Sequence, residues 1–521
     1  MPSRGELGGS GLARAQTPDE LGVPTAAVRA LIKRLQHRGL ITHSLLIARD
    51  GVLAYENYAP PYGPRVPHRL YSISKSYVAV AVGTLIDDGW LRLEDPVMQY
   101  FPELITGVDL HPYLAAARVE DLLTMRSPHA ATTYKRARDP DWVRTFFTVP
   151  PSRPPGMLFA YDTSATVVLT AIVERLSGLG LVDYLMDRVL RRIGVEHGLT
   201  ALFSPTGMTP ARRGGQPSTR EVLNNPNGVT HGGSGLLGTP RDLLRFAQLC
   251  LNDGRWGADQ IVSTQYMRAA TGYQTATIHT HPGEPDNQCG YGYQFWRTRH
   301  GFAARGMGSQ VALCVPSQAL VIVTTGDNQG IPGADQIFFD AVWEEVLPAL
   351  SSPASPAASD STGLAPAARG AKASDVIEAT PPSLHLPVVP TGEQRPEGVS
   401  ATFALAPAQV AYVGLTIRVG QDDGELRLQG LDGTVARIPF GVGRHRVHPL
   451  PGYDYETYSS GAWIDPRTVH IHSHVLGHFH AQIRFTLTLT LDGQRVILMM
   501  DGAAEMFAEE FSGTANGHRI G

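Results

Sequence analysis

Apolar residues cluster on one helical face over residues 26–35, behind the start signal Thr17-Pro18-Asp19-Glu20, and the pattern predicts a helix within 17–40. Residues 44–49 and 52–58 flank Asp50-Gly51 and read as a β-hairpin. Residues 72–88 form the next predicted helix, apolar on most sides (Val78, Val80, Val82, Leu85, Ile86) and stopped by Gly89. A helix that is hydrophobic nearly all round belongs in the middle of a domain. Residues 90–230 mix helix with long Pro- and Gly-rich loops. Residues 240–252 read as an amphipathic helix entered through Thr239-Pro240-Arg241-Asp242. Strands follow around 309–315 and 319–325, joined across Pro316-Ser317, and a last helix lies near 333–349. Helices and strands at both ends of a helical middle predict one α+β domain whose terminal segments share a sheet.

The pattern then changes. Residues 350–375 are rich in Ala, Ser and Pro, a composition that buries little apolar surface and reads as a linker. Beyond it come strands at 415–419, 425–428, 435–440, 468–474, 483–491 and 495–500, with Asp432-Gly433 and Asp492-Gly493 as hairpin turns. This predicts a separate all-β domain, a sandwich or a small barrel. The expected division is a disordered N-terminus over 1–16, an α+β domain over 17–349, a linker over 350–380 and an all-β domain over 381–521.

Length and charge narrow the function without naming it. A chain of 521 residues has room for two or three domains. A formal net charge of -4 with no long Lys or Arg run argues against nucleic acid and anionic membrane as partners. Cys250, Cys289 and Cys314 are too few and too scattered for a disulfide framework or a zinc knuckle, and read as buried small hydrophobes. Residues 1–16 have no apolar core of a secretory signal, and no stretch reaches the roughly 18 apolar residues of a membrane span, so the expected location is cytoplasmic.

The candidate chemistry starts at Ser72-Ile73-Ser74-Lys75, where the predicted central helix opens. Positions i and i+3 share a helix face, so the Ser72 hydroxyl and the Lys75 amine come within hydrogen-bond reach. Serine is a weak nucleophile until a neighbour takes its proton. A lysine does so only when burial or nearby positive charge lowers its pKa from about 10.4. By itself a Ser-x-x-Lys tetrapeptide has little specificity.

Longer stretches around it add specificity. Residues Arg69-Leu70-Tyr71-Ser72-Ile73-Ser74-Lys75-Ser76-Tyr77 and Leu85-Ile86-Asp87-Asp88-Gly89-Trp90 resemble the nucleophile segment of the serine β-lactamase-related family. That family covers class C β-lactamases, DD-peptidases, family VIII carboxylesterases, D-aminopeptidases and aminohexanoate-dimer hydrolases. Further similar segments follow in order: Asp121 to Ser127, Pro155 to Thr163, and Gly232 to Asp242. The resemblance spans roughly residues 17–349. It implies a β-lactamase/DD-peptidase-like fold, an antiparallel sheet flanked by helices with a helical subdomain, and no metal or organic cofactor.

The resemblance also implies residue roles. Tyr161 would take or relay the Ser72 proton and pass it to the leaving group. The family's Asn two residues later is Thr163 here, preceded by Asp162, and a Thr hydroxyl offers fewer hydrogen bonds to a substrate amide. On the strand beside the nucleophile, Ala304-Arg305-Gly306 stands where Lys-Thr-Gly or His-x-Gly is usual. Gly306 suits close backbone approach, and the Met307 N–H would join that of Ser72 in an oxyanion hole. The basic residue that grips a carboxylate is absent from position 304 or replaced by Arg305. These departures favour an esterase or amidase for small substrates, and leave open a β-lactamase, a peptidase for D-residues, or a sensor that acylates without turnover. A homodimer is also left open.

Two histidine features compete for attention. His470, His472 and His474 alternate along one predicted strand, with His478 and His480 nearby, and so offer one face to a metal. No carboxylate or Cys completes that set, and a solvated strand face is the reading adopted. His231 precedes a Gly-rich turn and reads as a loop histidine without an assigned role. The all-β region resembles an accessory C-terminal domain of some family members, through Arg437 to Gly443 and Gly461 to Asp465, and carries no nucleophile and base set of its own.

Overall fold

The computed structural model describes residues 12–107, 109–137, 139, 141–195, 199–201, 229–351, 382–393, 398–406, 410–453, 455–477, 480–504 and 508–521. The chain divides into two compact units, Met1–Phe203 with Asn225–His385, and Ser204–Asn224 with Leu386–Gly521. Most of the expected 350–380 linker lies outside the described residues. So do residues 1–11, whereas Arg14 and Ala15 run beside the strand carrying Leu53, whose carbonyl accepts from the Ala15 amide at 3.0 Å.

The first unit is built on a six-stranded antiparallel sheet. Its strands are β1 (Thr42–Arg49), β2 (Val52–Tyr58), β3 (Trp296–Thr298), β4 (Gly301–Gly306), β5 (Gln310–Val315) and β6 (Leu320–Gly326), in the order β2-β1-β6-β5-β4-β3. The register Leu46↔Val323 and Ile47↔Ile322 joins the N-terminal hairpin to a strand nearly 280 residues away in sequence, as the shared-sheet expectation required. Both faces of the sheet are covered. Leu45, Ile47, Val311, Leu313 and Ile322 pack with α1 (Thr25–His37) and α5 (Ala334–Ala341). Leu46, Ala48, Ala312, Cys314 and Val323 pack with α2 (Ser74–Asp87), α3 (Thr163–Ser177) and α4 (Pro240–Leu251). A sheet buried on both sides explains why these strands are apolar at consecutive positions rather than alternating.

The predicted helix over 72–88 resolves into two pieces. A single 3-10 turn, Tyr71–Ile73, carries Ser72, and α2 proper begins at Ser74. All of α2 from Ser74 to Leu85 is buried. Among the described residues no single helix is long and apolar enough to cross a membrane.

The second unit is a closed barrel, which decides between the two all-β architectures. Its strands are β7 (Val399–Leu405), β8 (Tyr412–Val419), β9 (Asp423–Gly430), β10 (Val435–Gly441), β11 (Arg446–Pro449), β12 (Glu456–Asp465), β13 (Thr468–Leu476), β14 (Ala481–Leu489), β15 (Arg495–Ala504) and β16 (Gly513–Arg519). The order is β10-β9-β8-β7-β16-β15-β14-β13-β12-β11, closed by a parallel bridge between Gly441 and Ser460. Closure leaves few strand edges to be protected.

The histidine face on β13 departs from the solvated reading. His472 and His474 are buried, and all three imidazoles have partners: Thr486 Oγ1 for His470 at 3.0 Å, Gln482 Oε1 for His472 at 3.1 Å and the Pro387 carbonyl for His474 at 3.4 Å. Burial pushes each pKa down, that of His474 to about 3, so these rings are neutral hydrogen-bonding parts of the barrel. His478 lies outside the described residues.

One buried carboxylate fastens the sheet edge that matters for the site. Asp286 accepts from the Arg299 guanidinium at 2.8 and 3.0 Å, from Gln336 on α5 at 2.8 Å, and from the Trp343 indole at 3.1 Å. Burial raises its pKa, but these donors outweigh burial and hold it below the usual carboxylate range. Replacing Asp286 with Ala leaves buried donors unpaired and is expected to cost about 3 kcal/mol of stability in urea unfolding. Because the folded pKa is depressed, this contribution is complete above about pH 4 and is lost as pH falls through the folded value. The wild-type advantage over Asp286→Ala should therefore shrink in acid.

Candidate active site

The 3-10 turn sets Ser72 at the mouth of α2 with its side chain partly exposed, while Lys75 sits one turn deeper at 1% exposure. Lys75 Nζ lies 3.0 Å from Ser72 Oγ and donates to the Gly233 carbonyl at 2.5 Å. That second contact comes from the Gly-rich loop before α4, which is tied to the same region twice more. Leu236 N donates to Ser74 Oγ at 3.0 Å, and Arg69 Nε donates to the Ser234 carbonyl at 3.0 Å. Gly233 is required there: a Cβ would lie 2.5 Å from Thr163 Cγ2 and 3.1 Å from the Thr163 carbonyl.

Tyr161 reaches this pair from the segment leading into α3. Its ring lies under Lys75 Nζ, 4.7 Å from the centroid. Burial pushes its phenol up to about 12, against which the hydrogen bond with Ser72 and the charge of Arg305 pull downward. At neutral pH Tyr161 is thus a protonated hydroxyl beside Ser72. The ring is fixed among aromatics: it stacks on Trp296 at 5.7 Å and meets Tyr291 edge-on at 6.3 Å, with Phe159 completing the cluster.

Asp162 caps α3 from the next position. Its carboxylate accepts from Ser164 N at 2.9 Å and from Ser127 Oγ at 2.9 Å, so the turn at Ser127 and the start of α3 are fastened around Tyr161. Burial raises its pKa. Thr163 opens α3, its amide donating to Thr132 Oγ1 at 3.1 Å, with its side chain against Gly233.

The end of β4 closes the other side. At Gly306 a Cβ would stand 2.2 Å from the Leu70 carbonyl oxygen, so the strand approaches the Ser72 turn backbone to backbone. Met307 follows at once, 40% exposed, in the tight turn to β5 where Gln310 Nε2 holds the Met307 carbonyl at 3.2 Å. Arg305 points to the α5 side. Its guanidinium pairs with Asp335 at 2.8 and 3.0 Å, and it also donates to Asn287. The cation considered for gripping a substrate carboxylate is already matched by a carboxylate of its own chain.

Ser72, Lys75, Tyr161, Thr163 and Gly306 therefore come together, with Met307 next to Gly306 at the end of β4. The sequence reading assigned no role to Trp296, Tyr291, Phe159 and Gly233, or to Asp162 as a cap. The run Tyr291-Gly292-Tyr293-Gln294-Phe295-Trp296 was visible, but nothing in it says which ring meets Tyr161. His231 is also more than a loop residue. It is buried edge-on to Trp142 at 5.0 Å, its Nδ1 has no partner among the described residues, and burial with the charges of Arg69, Lys75 and Lys135 holds its pKa well down.

This is an α+β domain with a Ser-Lys-Tyr group at the end of a sheet edge. A family model described as Beta-lactamase matches residues 28–334, more than half of the chain, and the chain belongs to that family. Among curated proteins it is similar to a 6-aminohexanoate-dimer hydrolase of Paenarthrobacter ureafaciens, 25% identical over 269 residues covering 49% of this chain and 63% of that protein. It is also similar to a beta-lactamase of Yersinia enterocolitica, 24% identical over 245 residues covering 44% and 60%. The chain thus spans a little under two thirds of the length of these relatives. Among solved structures, the D-amino acid amidase of Ochrobactrum anthropi SV3 aligns at 17% identity and a TM-score of 0.45, covering 60% of this chain and 98% of that one.

The close approach at Gly306 can be tested directly. Gly306→Ala must displace β4 from the Leu70–Ser72 turn, moving the Met307 amide. With the fold retained by circular dichroism, any ester hydrolysis that uses the Met307 amide as an oxyanion donor should fall by about 10²–10³ in kcat.

Proposed function

We propose that this chain is a serine hydrolase that cleaves ester or amide bonds of small substrates through an acyl-enzyme on Ser72. The observation that carries the reading is the 3.0 Å contact between Lys75 Nζ and Ser72 Oγ at the mouth of a buried helix. A lysine amine in its neutral form takes the serine proton as Ser72 Oγ attacks the carbonyl carbon. The amides of Ser72 and Met307 receive the charge that develops on the carbonyl oxygen. Tyr161, protonated at neutral pH, delivers a proton to the leaving alcohol or amine as the carbonyl–heteroatom bond breaks. Water then enters, the same groups run in reverse order, and the acid leaves with Ser72 restored.

The named activities of the relatives support a hydrolase of ester or amide bonds, since they include a 6-aminohexanoate-dimer hydrolase and a beta-lactamase. Two departures in this chain favour an ester or simple amide over a penicillin or a peptide C-terminus. Ala304 offers no cation, and Arg305 is paired with Asp335.

Wild type and Ser72→Ala should be compared on 4-nitrophenyl butyrate, a chromogenic cephalosporin and a D-aminoacyl anilide, with intact mass recorded in parallel. The expected result is turnover of the ester by the wild type and none above background by the variant. A stable adduct on the wild type without turnover would instead mark a sensor, and full activity in Ser72→Ala would exclude the mechanism.

A further inference from the structure

Four groups from four separate segments stand in succession beside the nucleophile. The Arg305 guanidinium lies 5.2 Å from the Trp296 ring centroid. Trp296 stacks on Tyr161 at 5.7 Å with 23° between the rings, and Lys75 Nζ lies 4.7 Å from the Tyr161 centroid. Each spacing falls inside the range in which cation–π and stacked aromatic contacts are attractive. The outer end of the series is anchored as well. Asp335 on α5 takes Arg305 Nε and Nη2 together, Asn287 takes Nη1, and the Phe339 ring lies 5.2 Å from the same guanidinium. A planar guanidinium so held keeps one orientation and one charge, which a flexible ammonium would not.

We propose that Arg305 is a positioning residue for Tyr161: acting across Trp296, it fixes and polarises the phenol hydroxyl for proton delivery to the leaving group, and it does not grip a carboxylate on the substrate. The assignment rests on the acyl-enzyme reading given above. Its physical content is electrostatic as well as steric. A fixed positive charge behind the ring makes the phenol a better proton donor, and Arg305 is one of the influences that draw the Tyr161 pKa down against burial. The other charged or titratable groups around Tyr161 are Lys75 from α2, Tyr291 from the segment before β3, and Asp162 beside it at the head of α3. Lys75 faces the ring, the Tyr291 phenol is buried and pushed far up, and the Asp162 carboxyl is turned to Ser127 and Ser164. Asp335 partly offsets Arg305 but stands on its far side hydrogen-bonding the guanidinium, so it also locks the charge in place.

The two roles for Arg305 predict different substrate dependences. A proton-delivery role matters when the leaving group is poor and needs a proton, and little when it is 4-nitrophenolate, which leaves unaided. A carboxylate clamp depends on the acyl part and ignores the leaving group. Wild type, Arg305→Met, Arg305→Lys and Trp296→Phe should be assayed on four esters: 4-nitrophenyl and ethyl esters of butyrate, and the corresponding monoesters of glutarate, whose free end is a carboxylate. Arg305→Met is expected to lower kcat on both ethyl esters by about tenfold or more while changing the 4-nitrophenyl esters by less than about threefold, whichever acid is used. Trp296→Phe should show the same split, and Arg305→Lys, which keeps the charge, should recover part of the ethyl-ester rate. A raised KM confined to the two glutarate esters would overturn the assignment, as would an equal loss on all four. If Arg305→Met does not fold, Trp296→Phe and Arg305→Lys carry the comparison, and absence of the leaving-group split in both overturns it. Ser72→Ala in the same assays separates the two levels: residual activity there rejects the acyl-enzyme reading, whereas an inert Ser72→Ala with no split rejects Arg305 alone.

Discussion

The structure of the first unit turns on one polar contact placed where polar contacts are least welcome, the Lys75 amine beside Ser72 Oγ at the start of a mostly apolar, buried helix. At 1% exposure the amine has little access to water, and it donates to the Gly233 carbonyl at 2.5 Å. For that carbonyl to arrive, the loop before α4 must pass with no side chain at Gly233, against Thr163. For the helix to be buried at all, its sides must be covered by α3, by Phe246 of α4 stacked on Tyr77 at 3.7 Å, and by Tyr266 against Gly83. The apolar character of α2 on nearly every side is thus the requirement of a buried amine expressed along the helix that carries it.

Backbone strain is also found near the same point. Tyr71, directly before Ser72, has φ of 47°; Met125, Gln294 and Ser309, in neighbouring segments, have φ of 57°, 62° and 64°. Conformations of this kind cost on the order of 1 kcal/mol or more each and persist only where packing and hydrogen bonds over-determine them. Gln294 shows how that is done. Its side chain donates to the Leu122 and Leu123 carbonyls and accepts from Thr166, while its own carbonyl accepts from Ser76 on α2. One residue therefore ties α2, α3 and the turn before Met125 together.

The barrel illustrates the same principle without chemistry attached. Strand β13 is buried on both faces over His472 to Val475, so its alternating histidines are drawn into the interior and satisfied there by Gln482 and the Pro387 carbonyl. An alternating row of imidazoles looks identical in sequence whether it faces water, a metal or a neighbouring segment. Burial decides, and burial is settled by what packs on the strand.

Several things were legible in the chain itself. The N-terminal hairpin, the apolar central helix and the last two sheet strands follow from local periodicity and turn residues. The pairing of Ser72 with Lys75 follows from a spacing of one helix turn, and Tyr161 from the resemblance of residues 155–163 to a family segment. The change to an all-β pattern after residue 380 is likewise a local signal. What only the tertiary structure decided is which distant groups meet. The barrel closes through a single bridge between Gly441 and Ser460, and no local pattern distinguishes that from a sandwich. Arg305 reads as a free cation in the sequence because Asp335 lies thirty residues away on another element, and they meet only because β4 packs beneath α5. Trp296 likewise acquires its place beside Tyr161 from the pairing of β3 with β4. Local rules govern the elements and the motifs they carry; long-range packing governs which charges are spent on each other and which are left for a substrate.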